Sequence, residues 1–194
     1  MKIGILGGTF NPIHNGHLLI AEEVKDHYAL DKIIFIPNKK PPHKEIADYI
    51  PDIHRINMIK LAINTNPDFI ISTKEIDRGG VSYTIDTIYE IQSEIDIDDK
   101  IHFIIGADLI SELSTWKEWD NLAKIVQFVV LNRGEEIAIE YLDKYPFIQT
   151  LQDTINFDVT SSLIRKKIKE SKSIKYLVPD NVLEYIKKEN LYVK

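Results

Sequence analysis

The sequence predicts an α/β fold: a single Rossmann-like, doubly wound parallel sheet with helices on both of its faces. Short apolar runs of strand character alternate with longer stretches of helical periodicity along the 194 residues. Two of these runs, 101–105 and 125–131, are apolar at nearly every position, as is typical of strands buried on both faces of a parallel sheet. No repeat, low-complexity tract or linker divides the sequence, so we expect residues 1–194 to form one domain.

The first βαβ unit is the clearest part of this pattern. An apolar strand at 2–6 is followed by a glycine-rich loop, a helix through Tyr28 and a second strand at 32–36, so these two strands are expected to be parallel. The later predicted elements are, in chain order, a helix over 51–64, a strand at 69–72, a helix from Ile85 to Glu94, strands at 101–105 and 125–131, and helices at 160–169 and 182–189. Residues 135–151 are predicted to be irregular.

Composition excludes several classes of function. The 24 Lys and Arg residues against 30 Asp and Glu residues give a net charge of −6, which argues against a nucleic-acid partner. The chain has no cysteine, which excludes disulfides, thiolate metal sites and cysteine nucleophiles. We see no signal-peptide pattern and no apolar run of membrane-spanning length, so we expect a cytoplasmic protein with no membrane partner. The oligomeric state stays open, with a homodimer as one hypothesis.

The loop after the first strand has the residue types of a phosphate-binding loop. Gly7 and Gly8 let a ligand approach the backbone closely, and Thr9 adds a hydroxyl and a backbone N–H. His14 and His17 lie three residues apart, so they share one face on the first turn of a helix and can both contact a polyphosphate. A tight turn with two surface histidines is the alternative. Neither G-x-x-x-x-G-K-[ST] nor G-x-G-x-x-G is present.

A second group of phosphate-binding residue types opens the helix near the end of the chain. Three hydroxyl side chains, Thr160, Ser161 and Ser162, precede Arg165 by about one turn. Hydroxyls and free N–H groups at a helix N-terminus, together with an arginine, can hold a phosphate. We therefore expect the helices at 160–190 to complete the phosphate site. A well-capped basic helix without a ligand is the alternative.

Basic residues also follow two of the other predicted strands. Lys44 lies in a Pro- and Lys-rich loop after the second strand, and Arg133 follows the fifth strand. Ligands of open α/β sheets bind at the carboxyl ends of the strands, so Arg133 is expected to reach the nucleotide phosphates or the adenine. Surface exposure is the alternative for Arg133, and a solvated connector is the alternative for the loop of Lys44. Arg55, within a predicted helix, is expected to form a surface salt bridge.

Residues 7–17, which read G-G-T-F-N-P-I-H-N-G-H, closely resemble the G-G-T-F-x-P-x-H-x-G-H signature of the nucleotidylyltransferase superfamily. With P-P-H-K at 41–44 and T-S-S-L-I-R at 160–165, the chain resembles the bacterial nicotinate-nucleotide adenylyltransferase family over nearly its whole length. That family has I-S-S-T-x-I-R at the last motif, and Thr160 and Ser162 here keep the hydroxyls. The resemblance implies transfer of an adenylyl group from ATP to nicotinate mononucleotide in NAD biosynthesis, with pyrophosphate as the second product.

Residue chemistry and resemblance together give a full set of expected site residues. The expected catalytic residues are His14, His17 and Arg165. The expected ATP- and phosphate-binding residues are Gly8, Thr9, Phe10, Lys44, Gly106, Asp108, Arg133, Ser161 and Ser162. The nicotinate-binding residues that the resemblance implies are Tyr83, Thr84 and Trp116. No metal site made by the protein alone is expected, because Mg²⁺ would be held on the triphosphate mostly by phosphate oxygens and water.

Of the expected site residues, those assigned to nicotinate binding depend most on the resemblance. The segment at Tyr83 and Thr84 would hold the pyridine carboxylate on free amides at a helix N-terminus, which would separate nicotinate from nicotinamide. Simple N-capping, with Ser82 and Thr84 as the caps, is the alternative. Trp116 would stack on the pyridine ring, and Trp119 is expected in the core.

Asp108 is implied to lie near a ribose or a bound Mg²⁺, with helix capping as its alternative. Two other functions remain open at this point. The acceptor could be nicotinamide mononucleotide or phosphopantetheine, or the chain could be a nucleotide-sensing binding module without turnover.

Overall fold

The computed structural model describes residues 1–40, 48–131, 145, 148–151 and 158–193. Lys44 and Arg133 lie outside the described residues. The strands are β1 (Ile3–Gly8), β2 (Lys32–Pro37), β3 (Phe69–Ile71), β4 (Ile101–Gly106), β5 (Val126–Leu131) and β6 (Ile148–Leu151). The helices are α1 (Asn15–His27), α2 (Asp52–Ile63), α3 (Lys74–Arg78), α4 (Thr84–Glu94), α5 (Trp119–Ile125), α6 (Ser161–Lys169) and α7 (Asp180–Lys188), and a 3₁₀ segment spans Ala107–Thr115.

The described strands form one parallel sheet with the order β3-β2-β1-β4-β5-β6. β1 pairs with β2 on one side and with β4 on the other, so the order reverses between β1 and β4. This is the doubly wound order that the sequence predicted, and the structure confirms the fold class. In such sheets the crevice at the carboxyl ends of the two switch-point strands is where ligands bind.

Successive residues of the central strands pack into different cores on the two faces of the sheet. In β2, Phe35 packs with α1, α2 and the C-terminal helices, while Ile34 packs on the other face with α4, the 3₁₀ segment and α5. β4 divides in the same way, with Ile104 on the first face and Phe103 on the second. Burial on both faces explains why these strands are apolar almost throughout.

The described structure has elements that the sequence-based prediction lacked, among them β6 and α3. Ile148–Leu151 forms β6, which pairs with β5 from Phe128↔Ile148 to Leu131↔Leu151, although residues 135–151 were predicted to be irregular. That prediction was wrong because the edge strand is only four residues long and has polar residues within it. The short helix α3, Lys74–Arg78, was not predicted either, since five residues are too few for a helical pattern to be recognised.

None of the helices in the described ranges has the length and the apolar run needed to cross a membrane.

Candidate active site

A cavity of about 380 Å³ opens at the carboxyl ends of β1 and β4, where the strand order reverses. It brings together residues from the first loop, the start of α4 and the 3₁₀ segment, although these are far apart in the sequence. Of the predicted site residues, those that line it are Gly8, Thr9, His17, Tyr83, Thr84, Gly106, Asp108 and Trp116. The cavity therefore joins the predicted phosphate-binding loop to the predicted nicotinate-binding segment.

His14 and His17 share one face at the start of α1, as predicted. Their rings stack with centroids 3.6 Å apart, and the His14 backbone N–H donates to His17 Nδ1 at 3.1 Å. Because Nδ1 accepts this bond, the proton of the neutral ring lies on Nε2, which makes His17 a hydrogen-bond donor through that atom. His17 lines the cavity, whereas His14 is buried at the N-cap of α1 and does not.

The Phe10 side chain is buried and packs against His17. Its ring is 2% exposed and lies edge-on to the His17 ring, with centroids 5.0 Å apart. Its backbone is in the left-handed region, with φ of 48°, where a bulky side chain is unfavourable. Strain of this kind persists where the surroundings enforce it, which is common at functional sites. A Cβ at Gly8 would lie 3.3 Å from the Phe10 ring, so glycine leaves room for that ring.

Arg55 is a buried anchor for this loop. Its side chain is fully buried and donates to Thr9 O at 2.7 Å, to Asn38 O at 2.8 Å and to Asp52 Oδ1 at 2.6 Å. The predicted surface salt bridge was therefore wrong about exposure, although an ion pair with Asp52 is present. Burial would raise the pKa of the Asp52 carboxyl, but hydrogen bonds from Lys39 and Arg55 outweigh it and lower that pKa. The ends of β1 and β2 are thus fixed to α2.

The N-terminus of α6 packs against the same loop. Ser161 Oγ donates to Pro12 O at 2.8 Å, and Arg165 Nη1 donates to Asn11 O at 2.9 Å. The Thr160 hydroxyl accepts from Leu163 N at 3.1 Å and caps the helix. Arg165, Ser161 and Ser162 do not line the cavity, so the structure places them beside the loop rather than in the wall.

Tyr192 secures the same loop from the C-terminal end of the chain. Its hydroxyl donates to Asn11 Oδ1 at 2.8 Å, and burial raises the pKa of that phenol. The Asn11 side-chain amide in turn donates to Asp48 O at 3.1 Å. The loop is thus held through its backbone carbonyls by side chains of α2 and α6, and through the Asn11 side chain by Tyr192.

Gly106 and Asp108 lie where β4 ends. An added Cβ on Gly106 would come within 2.4 Å of Asp108 Oδ1, so the carboxyl occupies the space that only glycine leaves. Asp108 is the second residue of the 3₁₀ segment and does not cap it, which argues against the capping alternative. Asp108 therefore places a carboxyl group in the wall of the cavity, just after the end of β4.

Tyr83 and Thr84 begin α4, and Trp116 follows the 3₁₀ segment on the facing wall. Tyr83 is the N-cap and no side chain caps the helix, so the alternative in which Ser82 or Thr84 is the cap does not hold. The Ser82 hydroxyl instead accepts from Lys39 N at 2.9 Å. The Trp116 ring is half-buried and lies edge-on to Phe103 and Phe128. Trp119 packs in the core against Phe128 and Tyr145, as predicted.

Residues 5–167 match the Cytidylyltransferase-like family. The nicotinate-nucleotide adenylyltransferase of Bacillus subtilis (strain 168) is 42% identical over 191 residues, which are 98% of this chain and 98% of that protein. The chain belongs to the nicotinate-nucleotide adenylyltransferase family. A probable nicotinate-nucleotide adenylyltransferase of Citrifermentans bemidjiense is 38% identical and covers 100% of this chain and 99% of that protein. Among solved structures, Plasmodium falciparum nicotinic acid mononucleotide adenylyltransferase complexed with NaAD is 26% identical with a TM-score of 0.76, covering 98% of this chain and 97% of that one.

Sequence reasoning missed several residues that line the cavity. Glu75 lines the cavity from α3, and Asn38 and Lys117 also contribute to its wall. The segment around Glu75 mixes acidic and basic residues, such as Lys74, Asp77 and Arg78, as is typical of solvated segments, so nothing in it signals a site. Asn38 follows a predicted strand end, which is the only sequence signal that could have found it.

Among the described residues, no group of three or more His, Asp or Glu side chains is arranged to hold a metal ion. Asp108 nevertheless supplies a carboxylate oxygen to the cavity, which is the ligand type that Mg²⁺ prefers. The donor set thus fits a cation that arrives with its phosphates better than one bound by the protein alone.

Proposed function

We propose that this chain transfers an adenylyl group from ATP to nicotinate mononucleotide and so forms nicotinate adenine dinucleotide and pyrophosphate. One observation carries the proposal: a single cavity is lined both by the glycine loop with His17 and by the α4 N-terminus with Trp116. The first group of residues, the phosphate end, suits a triphosphate, and the second, the acceptor end, suits an aromatic ring with a carboxylate. The similar P. falciparum enzyme was solved with NaAD, which supports this product.

The nucleophile in this reaction is the phosphate of nicotinate mononucleotide, which attacks the α-phosphorus of ATP. That phosphate is already ionised, so no protein base is needed and no covalent enzyme intermediate forms. The protein contributes positioning and charge stabilisation, as in other phosphoryl-type transfers. His17 donates through Nε2 to the charge that develops on the phosphates. The backbone N–H of the buried His14 donates to Nδ1 of His17 and so fixes the His17 ring.

We assign the far end of the triphosphate to the C-terminal helices. Ser161, Ser162 and Arg165 lie at the N-terminus of α6, which contacts the backbone of the first loop. The free N–H groups of that helix and the guanidinium would hold the leaving pyrophosphate. In this assignment residues 160–190 belong to the same single domain as the sheet, and Lys44 and Arg133 stay predictions from the sequence.

We assign Mg²⁺ to the triphosphate as the expected cation. Asp108 would hold it together with phosphate oxygens and water, and the ion would neutralise charge on the phosphates. The cytoplasm as the place of action, and a homodimer, likewise stay predictions.

The experiment that tests the function compares three acceptors with ATP and Mg²⁺ by pyrophosphate release. We expect strong preference for nicotinate mononucleotide over nicotinamide mononucleotide and phosphopantetheine. Preference for nicotinamide mononucleotide would keep the chemistry and discard the assignment of the carboxylate to the α4 amides. Turnover with phosphopantetheine alone would overturn the acceptor class, and ATP binding without turnover of any acceptor would favour a binding module.

A further inference from the structure

Glu75 places a carboxyl group in the wall of the cavity, beside the residues assigned to the acceptor. It belongs to α3 and lines the cavity with Ser82, Tyr83 and Thr84. It is a different kind of group from its neighbours, since it can carry a negative charge where the acceptor would bring its own carboxylate. The proposed adenylyl transfer does not involve this side chain.

A hydroxyl fixes the Glu75 carboxyl at this point. Thr87 Oγ1 accepts from Arg78 Nη2 at 2.9 Å and donates to Glu75 Oε1 at 2.9 Å. Tyr83 O also lies within reach of this hydroxyl but is farther away, at 3.4 Å, so the shorter bond goes to Glu75. The Ser82 hydroxyl, which accepts from Lys39 N at 2.9 Å, lies close enough to the Glu75 carboxyl to lower its pKa. The carboxyl is therefore held in position and does not rotate freely into solvent.

We propose that the charge of Glu75 sets how strongly the site prefers an acceptor with a carboxylate over one with a carboxamide. When Glu75 is neutral, it does not repel a nicotinate carboxylate and can donate its own proton to a hydrogen bond. When it is ionised, it repels that carboxylate and can instead accept from the amide of nicotinamide. This inference rests on the proposed function and adds the residue that controls selectivity within it.

The surroundings of Glu75 place its titration above that of an ordinary glutamate. Burial is the main cause and raises the pKa of the carboxyl, while the bonds from Thr87 and Ser82 lower it without cancelling that effect. The charged neighbours are Arg78 on the same helix, which lowers this pKa, and Glu90 on α4, which raises it. The other titratable or charged side chains that line the cavity are His17, Tyr83, Asp108, Glu112 and Lys117.

The sign of the pH dependence follows from this raised pKa. Below it Glu75 is protonated and the preference for nicotinate mononucleotide is greatest, and as pH rises through it that preference falls. We expect the ratio of kcat/KM for nicotinate mononucleotide to that for nicotinamide mononucleotide to fall by about tenfold across the titration. The ratio is the right readout because titrations that affect both acceptors equally, such as those of their phosphates, cancel in it.

The experiment measures this ratio between about pH 5 and about pH 9 for the unchanged protein, for Glu75→Gln and for Glu90→Gln. The glutamine side chain in Glu75→Gln has nearly the same shape as glutamate, can accept from Thr87 and cannot ionise. We therefore expect this variant to have a higher ratio than the unchanged protein at high pH and no fall with pH. The matched control, Glu90→Gln, lies outside the cavity lining and keeps the fall, displaced slightly to lower pH.

A ratio in Glu75→Gln that equals or lies below that of the unchanged protein at high pH overturns the proposal. If Glu75→Gln does not fold, the unchanged protein decides, because a ratio that is constant across the pH range also overturns it. Failure of the proposed function would look different, since neither acceptor would then release pyrophosphate from ATP. In that event calorimetric binding of the two acceptors to the same three proteins still tests the role of Glu75.

Discussion

The two ends of the cavity are built in different ways. The phosphate end is a loop whose backbone is bound by side chains from distant elements, with Arg55 on Thr9 and Ser161 on Pro12 as examples. The acceptor end is built from the 3₁₀ segment and the start of α4. The 3₁₀ segment is held by apolar packing of Ile110 and Leu113 in the second core and by local bonds, such as that from the Thr115 hydroxyl to Glu112 O.

This difference indicates which end is preorganised. Hydrogen bonds to fixed carbonyls give a defined geometry, which suits the stabilisation of charge on phosphates. Apolar packing tolerates small shifts, and the ion pair between Lys117 and Asp86 across the acceptor end, at 2.8 Å, involves two partly exposed side chains. Such pairs contribute little, typically about 1 kcal/mol or less. We infer that catalysis depends on the phosphate end and that acceptor affinity depends on the other.

Replacing Arg55 with alanine should give the largest effect and would test whether the phosphate end is fixed as described. The change removes a fully buried cation together with its hydrogen bonds to Thr9 O, Asn38 O and Asp52, whose carboxylate keeps its ion pair with Lys39. Breaking a buried pair in this way typically costs about 3–5 kcal/mol. We expect a loss of that size in the free energy of unfolding, measured with chemical denaturant.

The control for Arg55 is Lys74→Ala, which breaks an ion pair with Glu94 at the surface. We expect a change of less than about 1 kcal/mol there. Arg55→Lys keeps the charge but not the fork of donors, so it should fall between the two. A loss below about 1 kcal/mol in Arg55→Ala would contradict the role of Arg55 as an anchor.

The next largest effect is expected from His17→Ala, which removes the donor at the phosphate end. We expect kcat to fall by about two to three orders of magnitude, because removing a preorganised hydrogen-bond donor to developing charge typically lowers the rate by that factor. The KM for ATP should change far less, because the contact matters most in the transition state. Steady-state kinetics of pyrophosphate release would measure both.

His27→Ala, at the other end of the same helix, is the matched control and should leave kcat unchanged. His17→Asn can still accept from the His14 N–H and still donate, so we expect partial recovery of kcat. A loss of less than about tenfold in His17→Ala would exclude the proposed role.

Most of the fold could be predicted from the sequence because its physical signals are local. Apolar runs at 101–105 and 125–131 gave buried strands, and the βαβ pattern gave their parallel direction. β6 was missed because pairing with β5, not its own composition, makes Ile148–Leu151 a strand. The short helix α3 was missed because its five residues are too few to show a helical pattern.

The placement of site residues at the cavity could be predicted where a motif or the resemblance points to them, but not where tertiary packing decides. His17, from the first motif, and Asp108 and Trp116, implied by the resemblance, line the cavity, while their roles stay predictions. Arg55 was assigned to the surface because an arginine in an amphipathic helix usually lies there, and nothing local reveals the carbonyls that surround it. Glu75 was missed for the same reason, since its burial comes from α4 packing on α3.

Replacing Trp116 with leucine should give the smallest effect of the three and would test the acceptor end by itself. Leucine keeps an apolar side chain but loses the indole face, which is worth about 0.5–2 kcal/mol against a pyridinium ring. We therefore expect the KM for nicotinate mononucleotide to rise by about tenfold while the KM for ATP is unchanged.

Trp119→Leu is the matched control, because Trp119 packs against Phe128 and Tyr145 and does not line the cavity. We expect it to lower the free energy of unfolding and to leave both KM values unchanged. Equal changes in the two KM values in Trp116→Leu would mean that the two ends of the cavity are coupled and not built independently.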